Sequence, residues 1–510
     1  MSGNSRTKKT LKNLIFQIIY EIFLVIAGII FPRLIILKYG SDVNGLTSTI
    51  NHLIQILNLI QAGAVGASIF QMFKPVAEND YETVGKVLNS SRKYFTKLGF
   101  IFFTAIVCIT PLLLLLGNSS SITAFEKIVS FLILGLNSAF YFFFVSWFDI
   151  LFSSFQKRYL LSIASIIDKV IYYFVLFIIL QSNLPFYFMY FAILICTIIK
   201  VLVLFALYFR TYKRIIPKTK SNEIYKIPNK GYLLTNQLST QSVDAIPSVA
   251  VSYIVGLSFA SVFSIYILVQ NMAKMIFTTL QQSVSEVFGN LVNSKDKDRY
   301  LKVYNYLEYT FFSVGLVLCG GISLLCLPFI YLYTNHNSFD VNYNYPIIAL
   351  LIVLYCVFYC MYMPCFTLTN VLGYYKETYK QSVIFAIIAL ILSIGLCFIY
   401  WPLIAIGPAL YYFLSYVYRN FVLKKRIQAF SAKKTIVRCL VMCIFSTTLF
   451  LFFYWFFNID YWDSWIKWVL FGFLSVFGSV IFWAFYSFVF EREEMFYCFE
   501  LIKKLFRRKA

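Results

Sequence analysis

Asp244 and Lys274 are opposite charges set in consecutive apolar stretches. Each lies 12 residues from the same-side end of its stretch, taken at Tyr232 and Glu286. Two helices crossing a bilayer side by side would carry them at one depth, near the midplane. A charge there costs about 2.5–3.5 kcal/mol even on lenient insertion scales, so each needs a partner, a wet cavity or a changed protonation state. Pairing meets that need, and it joins a lysine able to hold an anion to an acid able to take up a proton or cation. Polar side chains recur around the pair in steps of three and four, which places each set on one helix face. One set is Gln237, Gln241, Asp244, Ser248 and Ser252; the next is Asn271, Lys274, Thr278, Gln281 and Ser285. Two earlier stretches carry Asn13, Gln17, Glu21 and Gly28, and Asn51, Gln55, Asn58 and Ala62. Such stripes serve either as hydrogen bonds between helices or as the lining of a polar cavity. No residue pattern points to covalent catalysis, a metal or a bound cofactor, and there is no Walker A loop.

The elements that must position these residues are transmembrane helices. The 510 residues are 60% hydrophobic and 20% aromatic, too apolar for a soluble chain of this length. Apolar windows of about 20 residues mark fourteen spans. They lie near 13–37, 46–73, 98–116, 128–152, 161–180, 187–209, 232–255, 260–286, 309–333, 346–372, 382–400, 403–422, 439–457 and 466–490. Long uninterrupted apolar runs predict helices, because lipid accepts backbone only where its hydrogen bonds are satisfied internally. The expected fold is therefore all-α and integral to the membrane.

The charge pattern orients it. A net charge of +22 would suit nucleic acid if it were clustered, but with both termini inside, 36 of the 44 lysines and arginines fall on the inner side. The outer loops hold only Lys38, Lys127 and Lys467. This is the positive-inside pattern, with anionic lipid headgroups as the neighbours of the bases and no nucleic-acid partner. The longest outer loop, Thr334–Tyr345, has no room for a soluble catalytic domain, so no enzyme activity is expected. All eleven cysteines lie in spans or inside, which implies no disulfide framework; Cys356, Cys360 and Cys365 read as small core residues. The first apolar stretch, from Leu14 to Leu37, is long enough to span and has no cleavage site after it.

An internal repeat organises the spans. At an offset of 216, Gly40 matches Gly256, Asp80 matches Asp296 and Asn89 matches Asn305, among ten identities in positions 40–99. A shift of six spans preserves orientation, so the expected halves are parallel repeats. The domains are then 1–209 and 232–422 as six-helix bundles, 210–231 as a basic linker, and 423–510 as an added helix pair with a basic tail. The four polar stripes occupy equivalent places in the two repeats, which favours a water-filled cavity between them over simple interhelical bonding. Gln55, Asn58, Gln241, Ser248, Asn271 and Thr278 would contact substrate there, with Lys274 and Arg33. Glu21 and Asp244 would couple an ion. Arg33 stands one turn from the outer end of its span, at the cavity mouth or among headgroups. Asp168 and Lys200 are expected to form a structural ion pair, His52 to be a hydrogen-bonded structural residue, and Asp149 and Arg419 to be interfacial.

The segment Phe31-Pro32-Arg33 through Lys38-Tyr39-Gly40 to Asn44-Gly45-Leu46 resembles the opening of the polysaccharide-repeat flippases. Ala62-Gly63-Ala64-Val65-Gly66 with Lys74-Pro75, and the basic connection Phe155-Gln156-Lys157-Arg158-Tyr159, are similar to that family too. The family lies in the multidrug/oligosaccharidyl-lipid/polysaccharide exporter superfamily. The resemblance implies two six-helix bundles, often with two further helices, and a cavity lined mainly by spans 1, 2, 7 and 8. It implies transfer of a polyprenyl-diphosphate-linked oligosaccharide across the bacterial cytoplasmic membrane for O-antigen, capsule or exopolysaccharide. H+ or Na+ would be the coupling ion, and a polysaccharide polymerase with its chain-length machinery would be a partner. A multidrug cation exporter of the same fold is the nearest rival, and a membrane glycan polymerase a more distant one. Glu21 departs from the arginine-rich first span of the related peptidoglycan-precursor flippases.

Overall fold

The computed structural model describes residues 3–61, 64–115, 122–213, 215–217, 230–293, 297–334, 339–427, 430, 432–458 and 462–498. Most of the basic linker, with Ser221, and the last basic residues lie outside them. The first half of the chain forms α1 (Gly3–Tyr39), α2 (Ser41–Asn58), α3 (Ala64–Ala77), α4 (Tyr81–Ile109), α5 (Ala124–Phe140), α6 (Ser146–Ser154), α7 (Tyr159–Gln181) and α8 (Phe188–Thr211). The second half forms α9 (Lys230–Ile254), α10 (Leu257–Asn293), α11 (Lys297–Tyr333), α12 (Pro346–Val371), α13 (Tyr375–Ile399), α14 (Ile406–Arg426), α15 (Ala432–Phe456) and α16 (Trp465–Phe490).

Among the described residues, eleven helical stretches are long and apolar enough to cross a membrane. The chain is an all-α, multi-pass membrane protein. The expected spans 46–73, 232–255 and 403–422 are not among the eleven, for physical reasons. The first is not one helix: α2 stops at Asn58 and gives way to a 3-10 turn, Leu59–Gln61. The second is α9, whose polar stripe dilutes its hydropathy. The third is α14, which ends in Lys424, Lys425 and Arg426 and buries Arg419. Lys127, expected in an outer loop, is instead a buried residue of α5.

The chain divides into two compact units, Met1–Gln241 with Val255–Ser261, and Ser242–Ile254 with Val262–Ala510. The division falls inside α9 rather than in the basic linker, and the C-terminal helix pair goes with the second unit. In the first unit α1 packs on α2 and α7, α8 joins α7 to α5, and α4 joins α5 to α3. The turns after α1 and α9 are repeat-equivalent and share a backbone requirement. Gly40 has φ +85° and Gly256 φ +134°, a region that side-chain-bearing residues rarely adopt. The two turns also meet. Ser258, which is Asp42 plus 216, donates to the Asp42 carboxylate, and Asn44 Nδ2 donates to Ser261 Oγ at 2.8 Å. A Cβ on Gly45 would fall 1.8 Å from the Leu257 carbonyl oxygen, so only glycine allows this approach.

In the second unit α11 is the hub, packed on α12, α15 and α16, while α14 packs on α12 and α13. The added helix pair is fixed by a charge network absent from the sequence reading. Arg438, fully buried on α15, donates from Nε to both oxygens of Glu491 at 2.9 and 3.0 Å, and from Nη2 to Glu491 Oε2 at 2.7 Å. Its Nη1 donates to Glu308 Oε2 on α11 at 2.8 Å. Glu494 accepts from Lys434 at 2.7 Å and from Asn305 at 3.0 Å. Burial pushes the Glu494 carboxyl up, but those two donors and a backbone N–H outweigh it and hold the group below the usual carboxylate range.

Candidate substrate site

Helix α9 supplies Asp244 and α10 supplies Lys274, and both belong to the second unit. The structure joins them as expected: the Lys274 ammonium donates to Asp244 Oδ2. The pair is more enclosed on the acid side, with side-chain exposures of 10% for Asp244 and 23% for Lys274. A tyrosine group from α12 and α14 surrounds it. Tyr412 donates its hydroxyl to Asp244 Oδ2 at 3.3 Å, and the Lys274 ammonium lies 5.6 Å from the centre of the Tyr359 ring. Tyr355, Tyr359 and Tyr362 each meet Tyr412 edge-on, with ring centres 5.3, 4.9 and 5.2 Å away. Such a wall can hold a cation over ring faces and offer hydroxyls to a polar ligand. Asp244 Oδ1 is buried and has no hydrogen-bond partner.

Arg419 changes the charge of this region. Its side chain is 1% exposed, packed inside the protein. Its Nη1 donates to Thr369 Oγ1 at 2.6 Å, and its guanidinium lies over Tyr362 at 5.3 Å and Phe366 at 5.1 Å. Among the described residues no carboxylate is within ion-pair distance of it, and its Nη2 has no partner. The sequence held a sign of this arrangement. Tyr355, Tyr359 and Tyr362 step by four and three, as do Tyr412, Tyr416 and Arg419, but tyrosine counts as apolar in a search for amide stripes.

The remaining expected residues divide between the units. In the first, Gln55 Nε2 donates to Gln241 Oε1 at 2.6 Å, so two stripe residues do meet. Glu21, Arg33 and Asn58 are half-buried, and Asn58 is the last residue of α2 rather than mid-helix. In the second, Asn271 is exposed and Thr278 folds its hydroxyl back to the Lys274 carbonyl at 2.9 Å. Ser248 is fully buried, and its hydroxyl has no hydrogen-bond partner. Asp168 does not pair with Lys200. Lys169 takes it at 3.7 Å, and Lys200 lies over the Tyr141 ring at 5.9 Å. The neighbouring lysine reaches the carboxylate first, while Lys200 finds a ring face.

No protein-family profile matches the sequence, and no curated protein does. Solved structures do match its fold. An inward-facing multidrug resistance MATE family transporter of the MOP superfamily has TM-score 0.64 at 16% identity, covering 80% of this chain and 94% of that one. The MATE multidrug transporter DinF-BH has TM-score 0.58 at 16% identity, covering 83% and 95%. A MOP superfamily transporter from Pyrococcus furiosus, in which the reverse polarity of the binding pocket is said to suggest a different function, has TM-score 0.57 at 15% identity, covering 82% and 94%. The chain therefore has the fold of MOP superfamily transporters.

Proposed function

We propose that this chain is a secondary transporter that moves a polyprenyl-diphosphate-linked oligosaccharide from the inner to the outer leaflet of the bacterial cytoplasmic membrane. The observation that supports it is the charge balance of the tyrosine-walled region. Two cations, the half-buried Lys274 paired with Asp244 and the buried Arg419 packed on Tyr362, stand there with one acid, Asp244, among the described residues. The resting acid is already neutralised, and the surplus is positive. An incoming diphosphate competes with Asp244 for Lys274 while the hydroxyl and amide groups meet sugar hydroxyls. Asp244, released, is an unpaired carboxylate in a site of low polarity, which favours uptake of H+ or Na+. Substrate arrival and ion uptake are thereby linked through one lysine.

A second reading, a multidrug cation exporter, is the one the structural neighbours support better, since two of those described are multidrug transporters. A cationic drug at Asp244 would have to compete with Lys274, which already pairs with that carboxylate. Because a MOP-fold protein is also described with a pocket of reverse polarity, fold alone does not choose between them. Proteoliposomes containing the full chain separate the two. One set carries a fluorescent polyprenyl-diphosphate glycan, whose flipping is read by its accessibility to an impermeant quencher. The other carries a lipophilic cationic dye, whose movement is read by fluorescence. Glycan flipping without dye transport supports the proposal, and dye transport without glycan flipping establishes the exporter.

A further inference from the structure

A second pocket lies wholly within the first unit, between α4, α6 and α8. Its volume is about 680 Å³, within the range of small-molecule sites. Arg92 and Asn89 come from α4, Trp147 from α6, Tyr208 and Phe209 from α8, and Lys213 from the turn after it. The aromatic rings form a continuous wall: Trp147 meets Tyr208 at 5.3 Å, and Tyr208 meets Phe209 at 5.7 Å between ring centres. The two cations sit on that wall, Arg92 at 5.6 Å from the Trp147 ring and Lys213 at 4.6 Å from the Phe209 ring. Among the described residues no carboxylate lines the pocket.

Trp147 supplies an independent sign of a ligand. It is 3% exposed, and its indole N–H is buried without an acceptor. A buried donor of that kind ordinarily finds one, and an anion in the pocket would provide it. An arginine, a lysine, a phenol, an amide and an unsatisfied N–H make a donor set with no carboxylate among the described lining residues, which is the chemistry that holds a phosphate ester. The aromatic wall accommodates the carbon skeleton attached to it.

We propose that this pocket binds an anionic phosphate ester, with Arg92 and Lys213 on the phosphate oxygens and the Trp147 indole donating to one of them. It shares no residue with the Asp244–Lys274 site and does not depend on the transport reading. An anionic phospholipid headgroup and a soluble phosphate ester carry the same chemistry, and the test separates them. Calorimetric titration of the detergent-solubilised full chain would use dioctanoyl-phosphatidylglycerol, dioctanoyl-phosphatidylcholine and glycerol phosphate. Phosphatidylglycerol is expected to bind saturably and about ten-fold or more tighter than phosphatidylcholine, whose headgroup is neutral. Glycerol phosphate binding as tightly as the lipid identifies a soluble ester as the ligand, and weaker binding identifies a lipid. Arg92→Gln with Lys213→Gln should lower affinity for the tighter ligand about ten-fold or more. Trp147→Phe keeps the ring and removes the N–H. It should leave the ligand-free Tm unchanged or raised, yet reduce the rise in Tm that the ligand gives. Wild-type affinity in the double variant, equal binding of the two lipids, or an undiminished ligand-induced Tm rise in Trp147→Phe would each overturn the proposal.

Discussion

Arg419 is the residue that most changes what the Asp244–Lys274 pair means. Alone, the pair is neutral and could be structural; with Arg419 behind Tyr362 the region carries a positive surplus. Arg419→Gln retains a donor for Thr369 while removing the charge. It is expected to lower the rate of glycan flipping about ten-fold or more at unchanged membrane abundance, measured in proteoliposomes of matched protein content. Tyr412→Phe removes one hydrogen bond to Asp244. Such a bond to a charged group contributes about 1.5–3 kcal/mol, so both thermal stability and the apparent affinity for the coupling ion should change measurably. Equal behaviour of wild type and Tyr412→Phe in both would mean that the 3.3 Å contact carries no energy.

At the scale of elements, the attachment of α15 and α16 rests on Arg438. A buried charge left alone by loss of its partner destabilises by about 3–5 kcal/mol, so Arg438→Met should free the helix pair, read as a lower Tm and as protease cleavage between α14 and α15. Arg438→Met combined with Glu308→Gln and Glu491→Gln should recover much of the loss. The same network sets an acid limit. Glu494 is held below its ordinary value, so its contribution is fully present above about 4.5 and is lost as pH falls through the lowered value. Thermal melts from pH 6 down to pH 3 should show stability falling at the acid end, and Glu494→Gln should flatten that fall. How much of this was legible in the sequence follows from what each signal measures. Helices, the repeat and the Asp244–Lys274 pair come from periodicity and depth, which are local properties of the chain. The Arg438 network joins residues up to 189 positions apart, and its bases look like ordinary positive-inside residues until α11, α15 and α16 are packed. The tyrosine wall was hidden because its residues are apolar by composition and polar at the tip. Lys200 fails to meet Asp168 because equal depth does not fix rotation about the helix axis.

At the scale of the whole molecule, the sidedness of the basic segments and the substrate reading are open to direct measurement. With both termini inside, Ser221→Cys should resist an impermeant thiol reagent on intact cells, whereas Asn342→Cys in the Thr334–Tyr345 loop should react. Reversal of that pattern would overturn the orientation. The transport account stands on Lys274 passing from Asp244 to the substrate. The most direct measurement is glycan flipping, with membrane abundance, for Lys274→Ala, Asp244→Asn and the double variant Asp244→Asn with Lys274→Gln. The account predicts that Lys274→Ala is inactive at normal abundance. Asp244→Asn should bind substrate but lose ion-driven turnover, and the double variant should remain inactive. A double variant that regains both abundance and flipping would show the pair to be structural and would contradict the account.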